Sequence, residues 1–273
     1  MLQIMVITII GASGFIGSNL CKSLGKLYTI KKLNLRNIDL FSKEEELINF
    51  FIKRLKKSKY VINCCASLKP KNKKDFFINS KLPIIIQKAL FKIDNKTHFI
   101  HLSTLNVYLD QRTDDYTFSK KLGEKKLKKK KTSIIRLPLI INDIDKNQLV
   151  GNLNILNNYL NIKILPIYPM LYPGHIYQPI KLNDLSLFFK KLLQKKQKSF
   201  TYNLVGKKKL SLWDLYKKIA QKKNKKVVKI NTKFLNFIKK SVGRNKIIRN
   251  NDFLSQLFYI DQSKLKKINL TKI

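Results

Sequence analysis

The chain has 273 residues, 44% of them hydrophobic, which is enough to bury a large core and too many for global disorder. Its formal charge is +41, yet six arginines leave 51 of the 57 basic residues as lysine, spread along the whole length. Nucleic-acid surfaces concentrate basic residues on one face and use arginine for bidentate contacts, so this pattern reads as compositional drift toward Lys, Asn and Ile. No nucleic-acid partner is expected from it. Cys21, Cys64 and Cys65 are too few and too poorly spaced for a zinc site or a disulfide framework, so no metal is expected and a reducing compartment is implied. No stretch reaches the ~20 apolar residues of a membrane span. The apolar N-terminus lacks a basic leader region, and the expected location is cytoplasmic.

Val6 to Ile10 is a run of β-branched residues that breaks into Gly11, Gly14 and Gly17 within GASGFIG. A buried strand therefore hands over to a helix, predicted over 18–27, through a turn whose free amides and helix dipole suit a phosphate. The spacing is G-x-x-G-x-x-G, placed after a strand at the start of the chain as a β-α-β dinucleotide unit requires. A second strand is predicted over 28–35 and ends among Lys31, Lys32 and Arg36. Basic residues there suit a ribose 2′-phosphate and lean slightly toward NADP over NAD, with Asp39 a little farther on available to the adenine side.

Residues 44–57 read as an amphipathic helix, 60–66 (YVINCCA) as a buried strand, 75–90 as a helix interrupted near Pro83, and 97–102 as another strand. Residues 132–141 (TSIIRLPLII) supply a further strand. This alternation predicts an α/β fold, a doubly wound parallel sheet covered on both faces. The rhythm fails over 142–177, which is rich in Asn and Pro and reads as loops and short elements of a second lobe. Residues 182–194 look helical and 200–205 look like a late strand returning to the sheet, while 227–273 closes the second lobe. The domain expectation is thus 1–142 with 176–205 returning to it, and a smaller lobe from 143–175 and 206–273.

Between two of these strands stand LSTLNVY and YTFSK. Tyr116 and Lys120 are spaced i, i+4, which on a helix puts both on one face about one turn apart. A lysine ammonium there favours the phenolate, drawing the tyrosine below its reference value of ~10 and fitting it for proton transfer. Ser103 and Thr104 follow a strand's carboxyl end, where ligands of open parallel sheets bind. His98 and His101 read as strand residues, His175 as structural, and Trp213 as the anchor of an amphipathic helix. The lysine run 125–131 reads as the solvated end of the helix carrying the Tyr-Lys pair.

Taken in order, these motifs resemble the extended short-chain dehydrogenase/reductase superfamily, in its nucleotide-sugar epimerase, dehydratase and reductase branch. GASGFIG, with Phe15 and Ile16, resembles the family's cofactor loop, and Asp39-Leu40 its Asp-hydrophobic pair near the adenine. VINCCAS, with Ala66, resembles the strand that passes under the cofactor ribose, and FINS a helix with an asparagine, here Asn79. RLPLI, QPIKLNDLS, YNLVG, SLWDL and IDQSKLKKINL resemble its later landmarks. The resemblance implies a Rossmann-type fold with a smaller C-terminal substrate-binding lobe, NAD or NADP, and a nucleotide-sugar or similar small carbonyl or alcohol substrate. It implies Tyr116 as proton carrier, Lys120 on the nicotinamide ribose, and Thr104, three before the Val of Val-Tyr, as the hydroxyl that orients substrate. A homodimer is the assembly it allows. Only 11 residues separate Thr104 from Tyr116, about half the family's usual number. That short loop motivates one alternative, a non-catalytic NAD(P)-binding sensor or assembly factor.

Overall fold

A computed structural model of the chain describes residues 5–36, 38–93, 96–108, 114–141, 160, 167–172, 176–195, 198–231 and 269–273. The β-branched run forms β1 (Val6–Ile10), followed by α1 (Phe15–Leu24) and β2 (Thr29–Leu33). Then come α2 (Glu44–Leu55), β3 (Tyr60–Asn63), α3 (Lys73–Ser80), α4 (Leu82–Ile93) and β4 (His98–Thr104). A short 3-10 turn (Leu105–Tyr108), α5 (Asp115–Lys126) and β5 (Thr132–Leu137) complete the alternation.

The chain clusters into two compact units, the first comprising Met1–Leu137, Leu182–Leu204 and Asn269–Ile273. Its sheet has seven strands in the order β13-β10-β5-β4-β3-β1-β2, where β10 is Thr201–Val205 and β13 is Thr271–Lys272. From β2 through to β10 every neighbouring pair is parallel. The order reverses direction at β1, which lies between β2 and β3, so the switch point where open α/β sheets bind ligands falls between the carboxyl ends of β1 and β3. The Rossmann-type doubly wound sheet is as expected. α6 (Leu182–Gln194) packs beside α1, while α2 and α4 pack together over the other face. That second face holds the main core, with Phe51, Leu55, Val61, Ile86, Ala89 and Phe99 all buried.

The second unit comprises Pro138–Lys181 and Val205–Ile268. Within it β6 (Ile140–Ile141) pairs with β9 (Ile180–Lys181), β8 (Ile176–Tyr177) with β11 (Leu210–Ser211), and β7 (Tyr168–Tyr172) with β12 (Val227–Asn231). α7 (Leu212–Lys222) starts with a capping box between Ser211 and Asp214 and buries Trp213 and Tyr216 against Tyr168 and Met170. Trp213 is the helix anchor that its sequence context suggests.

Several boundaries differ from expectation for identifiable reasons. The first helix starts at Phe15, three residues early, because Gly14 already serves as its N-cap. The strand expected to run to residue 66 stops at Asn63, whose side-chain oxygen takes the Cys65 amide at 3.1 Å and turns the chain out of the sheet. The helix over 75–90, expected to be interrupted near Pro83, divides at Lys81 into α3 and α4, and Pro83 sits in the first turn of the second, where a missing N–H costs nothing. The strand over 132–141 breaks at Pro138, which cannot donate to a ladder, and divides into β5 and β6. The region read as loops and short elements contains the short strands β7 and β8. Leu109 and His175 lie outside the described residues. No helix among the described residues is long and apolar enough to cross a membrane.

Candidate active site

Two glycines in the turn after β1 are dictated by space. Gly11 has φ +79° and lies against Cys65, whose Sγ would be 2.8 Å from a side-chain Cβ at that position. A Cβ on Gly17 would lie 2.1 Å from the Gly11 carbonyl oxygen, so α1 can approach the turn this closely only with glycine there. Gly14 N–H donates to Gly11 O at 3.0 Å, and Gly14 caps α1 without any side-chain hydrogen bond. The first-turn amides of α1 therefore have no side-chain cap, and the helix dipole presents its positive end at the switch point. Such a turn, with the first-turn amides of α1 uncapped by side chains, fits a pyrophosphate. Phe15 and Ile16 are half-buried in that first turn.

The other expected cofactor residues divide. Arg36 is exposed in the loop after β2, and Ala66 is exposed in the loop after β3. Asp39, also exposed, accepts the Phe41 amide at 2.9 Å and so builds the turn that sends Leu40 into the core at 1% exposure. Lys31 is not brought to the loop: it lies mid-strand, and its Nζ donates to Arg54 O at the end of α2. Asn34 is at the loop, its side-chain oxygen accepting the Ser13 amide at 3.1 Å.

α5 carries Tyr116 and Lys120 one turn apart, as the i, i+4 spacing predicts. Its start is fixed by Asp114, which caps Thr117 through both the amide (2.9 Å) and the hydroxyl (2.8 Å). Tyr116 is half-buried, whereas Lys120 is 1% exposed and donates through Nζ to Leu102 O at 3.1 Å. The last pairing between β3 and β4 is Asn63 with His101, so β4 runs on past its neighbour there and the Leu102 carbonyl goes to the lysine. Burial lowers the Lys120 ammonium to about 8, although Cys65, Glu124 and Cys64 act in the opposite direction. Burial pushes the Cys65 thiol up to about 12, so it stays neutral beside the lysine. Thr104 ends β4, is buried, and accepts the Asn106 amide at 3.2 Å.

Polar side chains that sequence reading left without a role hold these parts together. Asn79, fully buried, accepts from Ser67 N (3.0 Å) and donates to Ser67 O (2.8 Å) and to Ser119 Oγ (3.1 Å), and Ser119 donates to Tyr116 O (2.9 Å). One amide thus ties the loop after β3 to the helix of the Tyr-Lys pair. On the other side of α5, Arg136 of β5 donates through Nε to both Glu124 carboxylate oxygens (3.2 and 3.0 Å) and through Nη2 to one of them (2.5 Å). The guanidinium also stacks 4.6 Å from the Tyr108 ring centre and donates to the Tyr108 hydroxyl, which in turn donates to Asn203 at 3.0 Å. The signal was present in the sequence: Glu124 follows Lys120 by four and is the acidic residue in a run of lysines, and Arg136 interrupts an apolar strand.

This unit thus combines a Rossmann-type sheet, a glycine turn at its switch point and a helix that carries a Tyr-Lys pair. Residues 7–129 match the model of the NAD dependent epimerase/dehydratase family. The resemblance to extended short-chain dehydrogenases/reductases is borne out. No curated protein is detectably similar in sequence. Among solved structures, the chain is similar to the dTDP-4-dehydrorhamnose reductase of Bacillus anthracis in complex with NADP, at 18% identity, TM-score 0.65 and 85% of each chain. It is also similar to the UDP-glucose 4-epimerase of Thermotoga maritima with UDP-glucose, at 15% identity, TM-score 0.63, 83% of this chain and 86% of that one. The dTDP-glucose 4,6-dehydratase of Bacillus anthracis in complex with NAD matches at 17% identity, TM-score 0.61, 83% of this chain and 84% of that one.

Proposed function

We propose that the chain is an NAD(P)-dependent oxidoreductase, epimerase or dehydratase acting on a nucleotide-linked sugar or similar small carbonyl or alcohol compound. The observation that carries this reading is the buried Lys120, anchored on the Leu102 carbonyl one turn from Tyr116, beside a β4 strand that ends in Thr104. A nicotinamide cofactor, when bound, supplies hydride chemistry. Gly11 and Gly17 admit its pyrophosphate to the N-terminus of α1, and Arg36, the basic residue at the loop after β2, carries the slight preference for NADP now that Lys31 is turned to α2.

Tyr116 is the group that gives and takes the proton at the substrate oxygen. The Lys120 ammonium stabilises negative charge on the tyrosine oxygen as the proton moves, and Thr104 orients the substrate oxygen by a hydrogen bond. The second unit is assigned substrate recognition on the strength of the family resemblance. The test is mass spectrometry of the nucleotide retained by the purified protein, followed by incubation with pooled nucleotide sugars and fresh NADPH or NADH. A retained dinucleotide and conversion of at least one sugar are expected. A retained dinucleotide with no conversion across the panel would favour the sensor reading.

A further inference from the structure

Beside α5, strands β5 and β10 form the floor of a groove of about 530 Å3, within the size range of small-molecule sites. Strand alternation decides what faces it. Arg136 turns toward Glu124 of α5, and Ile134, two residues earlier, projects from the same face of β5. Across the ladder Thr201 is paired with Ile134 and Asn203 with Arg136, so the floor consists of two rows. The second row is closed over by Tyr108, whose hydroxyl donates to Asn203 at 3.0 Å and receives from Arg136. The first row stays open. Ile134 is half-buried although β5 is an interior strand between β4 and β10, a position that a helix covers in a doubly wound sheet. Here, among the described residues, it opens into the groove, whose lining also includes Val107 and Leu127.

The charge of the lining has one sign. Glu124 is its single carboxylate, and Arg136 Nε holds both of its oxygens at 3.2 and 3.0 Å. Its other charged residues are Lys121 and Lys125, one turn apart on α5, and Lys128 and Lys129 in the loop that follows. Lys128 Nζ lies over the Phe91 ring, 5.9 Å from its centre, so this residue lends the groove its aliphatic stem. Lys125 and Lys129 are exposed. Like charges this close repel, and an anion lodged among them removes the repulsion. The size of the space separates the anions that could lodge there. A partner's helix about 10 Å across fills roughly 400 Å3 per turn, so the groove takes little more than one turn of it, whereas a small molecule is held whole.

We propose that this groove is a second ligand site, for a small amphipathic organophosphate whose phosphate is taken by Lys125 and Lys129 and whose apolar body lies on Ile134 and Leu127. No residue assigned above to the cofactor or to proton transfer lines it, so it is separate from the proposed catalytic site. The lysine run after α5 thereby gains a role for its side chains. Val107 and Tyr108 also join the groove to the turn that follows Thr104, so an occupant touches the segment that ends β4.

The probe is 1-naphthyl phosphate, titrated into the full-length protein at about 150 mM salt, where the diffuse field of the chain is screened beyond ~8 Å, and followed by its own fluorescence. A saturable component at least about tenfold tighter than inorganic phosphate is expected, because the ring buries apolar surface. Lys125→Gln combined with Lys129→Gln should weaken that component about tenfold, and Thr201→Trp, which fills the groove at constant charge, should abolish it. Lys53→Gln combined with Lys57→Gln, which removes the same charge from the end of α2, should stay within about twofold of native. If Thr201→Trp does not fold, the exposed lysine pair carries the test. Three results overturn the proposal: no saturable component, equal binding by the native protein and the groove variants, as a probe seated at the glycine turn would give, or tighter binding of hexaglutamate than of naphthyl phosphate. The titration needs neither cofactor nor substrate, so its failure leaves the catalytic reading untouched, and persistent turnover in Tyr116→Phe leaves the groove untouched.

Discussion

Lys120 sets the chemistry available at the residue scale. A lysine at ordinary exposure keeps its proton to pH ~10.4, but burial brings this one to about 8, within reach of ordinary assay conditions. The sign follows from the charge on the acid form. Below about 8 the ammonium is present and can stabilise charge on Tyr116; as pH rises through that value the cation is lost. On the alkaline side kcat/KM is therefore expected to fall about tenfold per pH unit, with a midpoint near 8 in the free protein. Lys120→Arg should move that limb out of range, because a guanidinium does not lose its proton there. A pH-rate profile of both proteins checks this, and an alkaline limb unchanged in Lys120→Arg would assign it to another group.

At the scale of elements, the site depends on how α5 is held. Asn79 ties it on one side to the loop after β3, and the Arg136–Glu124 pair ties it on the other to β5. The pair is largely buried, with side chains 17% and 8% exposed, so removing one partner leaves an uncompensated charge. Arg136→Leu is expected to lower stability by about 3–5 kcal/mol in urea unfolding and to reduce turnover beyond what lost folding explains. Glu124→Gln, which keeps hydrogen bonds to the guanidinium, should cost less. The lysine run after α5 has a structural role: Gln87 of α4 exchanges hydrogen bonds with the Lys128 backbone at 2.7 and 2.9 Å and pins the helix end.

These ties mark the limit of what the sequence discloses. Periodicity located β1 to β5 and the helices between them, because apolar spacing reports burial directly. Lys120 and Tyr116 were legible because a helix converts i, i+4 spacing into proximity. Asn63 and His101 were not legible, and Asn79 was legible only as a family landmark without a partner, since a polar residue in an apolar strand or a plain helix names no partner until topology supplies one. Lys31 shows the converse: proximity in sequence to the loop after β2 did not give proximity in space, because strand alternation turned it toward α2.

Over the whole molecule, the +41 charge comes mostly from lysines spread along the sequence, which give a positive field without a single basic run dominating it. Such a field speeds capture of anionic nucleotides and is screened by salt, with a Debye length of ~8 Å at physiological ionic strength. NADPH association measured by stopped flow should slow severalfold between 20 and 200 mM salt at roughly constant dissociation rate, and duplex DNA retained at low salt should be released by ~150 mM. Saturable duplex binding that survives physiological salt would instead indicate a nucleic-acid function. The glycine turn and the Tyr-Lys helix lie in one unit, and the proposed function requires that they form a single catalytic site. The most direct measurement compares native protein with Tyr116→Phe, determining NADPH affinity by titration and turnover on whichever nucleotide sugar the native protein converts. Affinity within about twofold of native and turnover reduced by at least ~100-fold are expected; turnover equal to native would remove Tyr116 from the chemistry and break the single-site reading.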